Sequence, residues 1–215
     1  MRIAFFEEIY GRYSQLDFTH STDRSLGMAG IESRFAALFG KARHGILDDP
    51  KDRSYLHRSL LWRRADVTRS MTKINYPPNK RVFSWSWMAV MGPICFMDVP
   101  FCIVDWNTDL RSPFNECEDS SGTPGALRGF ARDYSKQTGD QIFFDRDNDA
   151  TLHGRVQCMI LGTQGISSGY LMTHYALLVV ATLEGSDIHE RVGVAMFERD
   201  QKWTDSVYDQ WICIM

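Results

Sequence analysis

Hydrophobic periodicity along this chain changes once, at Pro77-Pro78. A proline pair fixes two successive φ angles and removes two backbone donors, so no helix continues through it. Before the pair, apolar residues recur at helical spacing. After it, short runs of β-branched and aromatic residues alternate with Gly, Asp and Asn turns. The expectation is an α+β fold: N-terminal helices, residues 1–76, packed on a curled antiparallel β-sheet of barrel or sandwich form, residues 77–215, together one compact domain.

Within the first part, Ile3, Phe6, Ile9, Tyr10 and Tyr13 form one helical stripe, and Ile31, Phe35, Leu38 and Phe39 form a second. Ser21-Thr22-Asp23 offers N-cap side chains to the second helix, and Gly40 offers a C-cap able to take positive φ. Leu56, Leu60, Leu61 and Trp62 predict a short helix or turn. In the second part the expected strands are 81–90, 94–97, 101–106, 141–145, 151–161, 170–183, 191–198 and 211–215. Residues 115–124 read as an exposed loop and 162–169 as a glycine-rich hairpin loop, while 125–136 fits either a short helix or a strand.

Charge narrows the function classes. With 24 Lys and Arg against 27 Asp and Glu, the net charge is -3, and the clustered cationic surplus that phosphate backbones and anionic membranes demand is missing. No nucleic-acid or membrane partner is therefore expected. The longest apolar run, 170–183, falls short of the roughly 20 residues of a bilayer span. Glu7-Glu8 interrupts any secretory signal, and five scattered cysteines with no C-x-x-C pair suit a reducing compartment, so a cytoplasmic location is expected. The six histidines form no H-E-x-x-H and adjoin no cysteine at zinc spacing, so neither metal nor cofactor is expected. Asp145-Arg146-Asp147-Asn148-Asp149 resembles the front of a calcium loop, but Ala150 holds the glycine position and Val156 the closing glutamate position; a polar hairpin turn is expected there. Cys158 and Cys213, in apolar strands, read as inert small hydrophobes.

Several short motifs carry a family pattern. Tyr13-Ser14, Thr19, Asp23-Arg24, Gly30-Ile31, Ser59-Leu60-Leu61-Trp62 and Ser84-Trp85-Ser86-Trp87 occur in this order, followed by Leu177-Leu178-Val179 and Glu190-Arg191-Val192-Gly193-Val194. This succession resembles the region downstream of the HET domain in fungal heterokaryon incompatibility proteins. There the run reads approximately Y-S-x-x-x-L-T, D-R-L-x-A-L-S-G-I-A, L-L-W, P-S-W-S-W-A-S, and then L-x-V and E-R-V-G. The chain departs from it at Ser25, Phe83, Met88 and Ala89. Because nothing of that length precedes Tyr13, the resemblance implies the follow-on region with the HET module itself absent.

Aromatic residues make up 13% of the chain, including 6 Trp, and their placement decides between two site readings. Read as a strand, residues 84–87 direct Trp85 and Trp87 to one face and the serines to the other. Two such rings are either core anchors or one wall of a ligand cavity. The cavity reading gathers Trp85, Trp87, Trp106 and Tyr175 around His174 and Asp105, because a buried neutral imidazole beside an aspartate, Asp105 or Asp98, is a usable acid–base pair.

Two functions follow. The resemblance implies a regulatory or recognition module in fungal self/non-self recognition, sensing a protein partner such as a HET-domain protein. The cavity reading implies instead a cofactor-free protein that binds or transforms a hydrophobic small molecule in fungal secondary metabolism.

Overall fold

The computed structural model describes residues 2–101, 103–115, 124–147, 149, 152, 156–165, 171–183, 186–200, 203 and 209–215. Helices and strands combine in an α+β fold, as expected. The chain divides into two compact units, residues 1–97 and 98–215, so Pro77-Pro78 and the S-W-S-W segment belong to the helical unit.

In the first unit, α1 (Arg2–Ser14) buries Ile3, Phe6 and Tyr10 on the predicted stripe. A 3-10 turn over Ser21–Asp23 leads into α2 (Arg24–Phe39). The expected side-chain N-cap does not form: Asp23 itself takes helical angles, and the Arg24 N–H instead closes onto the Ser21 carbonyl. Gly40 does end α2, at φ +100°. Its buried face differs from the predicted one. Phe35 and Phe39 lie inward, Leu38 is exposed, and Arg24, Met28 and Glu32 are buried instead. A third helix, α3, spans Ser54–Leu60.

Three two-stranded ladders complete this unit. They are built from β1 (Lys41–Arg43), β2 (Ile46–Asp48), β3 (Trp62–Arg64), β4 (Thr72–Lys73), β5 (Val90–Met91) and β6 (Ile94–Phe96), pairing β1 with β2, β3 with β6 and β4 with β5. The expected strand 81–90 is absent. The Ser86 N–H bonds the Phe83 carbonyl, and Trp87–Ala89 form a 3-10 turn whose Met88 N–H is capped by Ser86 Oγ. Serine hydroxyls that satisfy nearby backbone groups outcompete the β preference of the tryptophans. Trp85 and Trp87 therefore do not share a strand face.

The second unit is built on a closed five-stranded barrel. Among the described residues, short β7 (Asp105–Trp106) is all that forms of the expected strand 101–106. The barrel strands are β8 (Leu127–Asp133), β10 (Gln157–Gly165), β11 (Leu171–Ala181), β12 (Ile188–Asp200) and β13 (Gln210–Ile214), with β9 (Gln141–Phe144) added beside β12. Pairing runs β8–β10–β11–β12–β13 and back to β8, antiparallel throughout except between β12 and β13. Segment 125–136 thus resolves as a strand. Gly162–Gly165, expected in a loop, continue β10. Gly162 fits there because a Cβ would lie 2.7 Å from the Trp106 ring. The rest of that loop, Ile166–Gly169, and most of the loop 115–124 lie outside the described residues.

Side-chain alternation gives the barrel two faces. Leu127, Ala131, Met159, Leu177, Ile212 and Ile214 are buried inside. Phe130 and Trp211, one residue out of phase, are exposed and mark the outer face. Over β10, β11 and β12 that outer face is covered, and Cys158, Ala176, Leu178, Ala195 and Phe197 pack there with Tyr134 and Trp203. Burial pushes the Cys158 thiol up to about 12, in keeping with an inert cysteine. Beside the barrel, Arg191 and Asp145 form a buried two-pronged ion pair at 3.0 and 3.3 Å. Asp149 is held by Arg146 at 3.0 Å. Two of the three carboxylates of the calcium-like segment, Asp145 and Asp149, thus face guanidinium groups; Asn148 and Ala150 lie outside the described residues.

Candidate functional site

Three of the motifs, Tyr13-Ser14, Asp23-Arg24 and S-W-S-W, meet around one ring, while Leu177-Leu178-Val179 and Glu190-Arg191-Val192-Gly193-Val194 lie in the β11–β12 ladder of the second unit. Trp87 is fully buried, with Tyr10 at 5.3 Å and Tyr13 at 6.1 Å between ring centroids and the Arg24 guanidinium 4.8 Å from its own. The Tyr13 hydroxyl donates to the Arg24 carbonyl at 2.8 Å, and Arg24 Nη2 donates to the Gly92 carbonyl at 3.1 Å. Ser14 Oγ accepts from the Ile94 N–H at 2.8 Å. From the third motif, Trp62 Nε1 donates to the Trp85 carbonyl at 3.0 Å, and Ser59 Oγ accepts from the Leu47 N–H at 3.2 Å.

A hairpin turn is clamped against the same ring. His44 and Gly45 connect β1 to β2 and both take positive φ, +53° and +79°, as a two-residue hairpin loop requires. The Gly45 N–H donates to Glu32 Oε1 at 2.7 Å, while Ser86 Oγ donates to the His44 carbonyl. A Cβ on Gly45 would sit 2.0 Å from Trp87 Nε1.

Burial perturbs the ionisable groups of this cluster. It lowers Arg24 to about 10, still charged at neutral pH. Glu32 is raised by burial against the opposing pull of the Gly45 N–H, and Tyr10 is raised by burial and by the adjacent Glu32 carboxyl. His44 is lowered to about 4 by burial, with Arg43 and Lys80 adding repulsion.

In the second unit, His174 is fully buried on the covered outer face. Its ring lies 5.5 Å from Phe197 and 5.2 Å from Trp203 between centroids. Arg132 stands 4.7 Å over Trp203, and Arg199 stands 4.8 Å over Phe197. Neither imidazole nitrogen has a hydrogen-bond partner among the described residues. Burial, and then Arg132 and Arg199, lower His174 to about 4.

The six residues of the cavity reading fall into separate places. Trp85 and Trp87 are buried in the first unit. In the second, Asp105 and His174 both register with Thr163, which separates them by two strand spacings, roughly 10 Å. Trp106 and Tyr175 both flank Gly162, on the opposite face, because side chains alternate. Asp98 is exposed. Around His174, where the cavity reading would have an aspartate, the described residues place two aromatic rings and two guanidinium groups. Among the described residues no three potential ligands group to hold a metal ion.

Sequence reasoning missed Glu32, whose charge on a helix reads as solvent-facing, and the partnership of Arg24 with Trp87. The positive-φ pair His44-Gly45 was the available signal for the hairpin on which Glu32 acts.

The fold defines this protein as a helical unit joined to a closed five-stranded barrel unit. No protein-family model matches the chain, and no curated protein or solved structure is significantly similar to it.

Proposed function

We propose that this chain is a non-enzymatic recognition module resembling the region downstream of the HET domain, acting in fungal self/non-self recognition by binding a protein partner. The observation that carries the reading is the convergence of its separate motifs, Tyr13-Ser14, Asp23-Arg24 and S-W-S-W, on the Trp87 ring. Residues far apart in sequence that pack as one body are what a shared folding pattern requires, so the resemblance gains physical coherence. The barrel unit offers an aromatic surface of the kind that anchors protein partners. Phe130 and Trp211 stand edge to face at 4.9 Å on the exposed outer face, with Arg111 5.3 Å over Trp211.

The test pairs two measurements on the intact chain: reciprocal co-purification with HET-domain proteins of the same cell, and scoring of incompatibility reactions after deletion of the gene. Co-purification that is lost on Trp211→Ala, together with an altered reaction, is expected. Recovery of no HET-domain protein combined with unaltered reactions would refute the reading.

A further inference from the structure

We propose that His174 is an acid-sensitive latch of the barrel unit: while neutral it completes the ring stack with Phe197 and Trp203 on the outer face, and its protonation undoes that stack. Among the described residues the geometry offers an N–H on this ring no acceptor. Both imidazole nitrogens lack a hydrogen-bond partner among the described residues, and the ring is sealed from water. Among the described residues a charge there would have no carboxylate partner, and the buried ring has no solvent.

The surrounding groups sharpen the point. From β8 comes Arg132, from β10 Thr163, and from β12 Phe197 and Arg199, with Trp203 stacked beyond. The nearby acids among the described residues have their own partners or face solvent. Asp140 accepts from both Arg199 and Tyr134 at 2.7–2.8 Å. Asp209 pairs with Arg132 at 2.6 Å, and Asp200 accepts from the Trp203 N–H at 2.9 Å. Asp105 lies beyond Thr163 and is exposed. A third cation beside two guanidinium groups is relieved by letting water in. The least costly route displaces the half-buried Trp203, since His174 and Phe197 are fixed opposite each other in the β11–β12 ladder.

Hydrogen exchange of the intact chain reads the opening directly, through the Trp203 indole and backbone N–H and the amides around His174. After correction for the intrinsic pH dependence of exchange, the opening equilibrium should rise about 30-fold between pH 7.5 and pH 5, given His174 near 4 when closed and near 6.5 when open. His174→Phe, which keeps a ring and removes the proton site, should flatten that rise. An equal rise in His174→Phe, or no rise in the natural chain, would overturn the proposal. Should that variant fail to fold, titration of the labelled His174 ring in the natural chain decides: a midpoint well below 6.5 supports the latch, and one at or above 6.5 overturns it.

Discussion

The Arg24 guanidinium lies 4.8 Å from the centroid of the Trp87 ring, and both side chains are sealed from solvent. Among the described residues no carboxylate pairs with this cation; the indole face, the Gly92 carbonyl and, at 3.7 Å, the Met91 sulfur surround it instead. Desolvating an ion costs several kcal/mol, so the planar stack must be close-fitting to hold it.

Substitutions at Arg24 should follow from that geometry. A lysine retains the charge but loses the flat stacking surface and the fork of donors, whereas methionine removes the charge and keeps much of the volume. Arg24→Lys is expected to destabilise the first unit by about 2 kcal/mol, and Arg24→Met by less. Urea unfolding of both variants checks the order; a methionine variant weaker than the lysine variant would contradict it.

Gly45 is under a double constraint. Its φ of +79° disfavours any side chain, and the Cβ position lies 2.0 Å from Trp87 Nε1. Gly45→Ala should cost about 3 kcal/mol or more, combining left-handed strain with a core clash. Because the clash is with one ring, Trp87→Phe in the same chain should recover part of the loss, visible as non-additivity in thermal melts.

The parts of this fold that were legible in the sequence are those whose signal is local. Strand β11 is apolar over most of its length, and the α1 stripe of Ile3, Phe6 and Tyr10 is regular. The 81–90 segment was misread because Ser86 carries turn chemistry that competes with the strand preference of the tryptophans on either side of it. His174 was recognisable as a residue in an apolar strand, but its neighbours were not. Arg132 and Arg199 reach it from β8 and β12, and register between distant strands is set by the whole barrel.

The buried pair Asp145–Arg191 gives a sharper energetic test. Asp145→Asn leaves a buried guanidinium without its counter-charge and should destabilise the barrel unit by about 3–5 kcal/mol. Asp145→Leu combined with Arg191→Met removes both charges and should cost less than either change alone. A double variant as unstable as the sum of its singles would show that the two side chains do not act as a pair.

Acid should weaken the first unit through His44. Its folded-state pKa, about 4, lies below the ordinary 6.5 of an unfolded chain, so the unfolded state binds the proton more readily. Stability from this group is present above pH 6.5 and is lost as pH falls towards 4. Glu32 acts with the opposite sign in the carboxylate range: burial raises it, so the folded state takes up its proton first and acidification there relieves a desolvated charge. Comparison with a variant that lacks the imidazole therefore isolates the histidine. His44→Asn removes the titration, and asparagine tolerates the positive φ of +53° that His44 adopts. Allowing for partial exposure, the natural chain should lose about 1–2 kcal/mol more than the variant between pH 7 and 5, read by urea unfolding of the first unit. Parallel pH profiles for the two chains would show that His44 does not set the acid sensitivity of this unit.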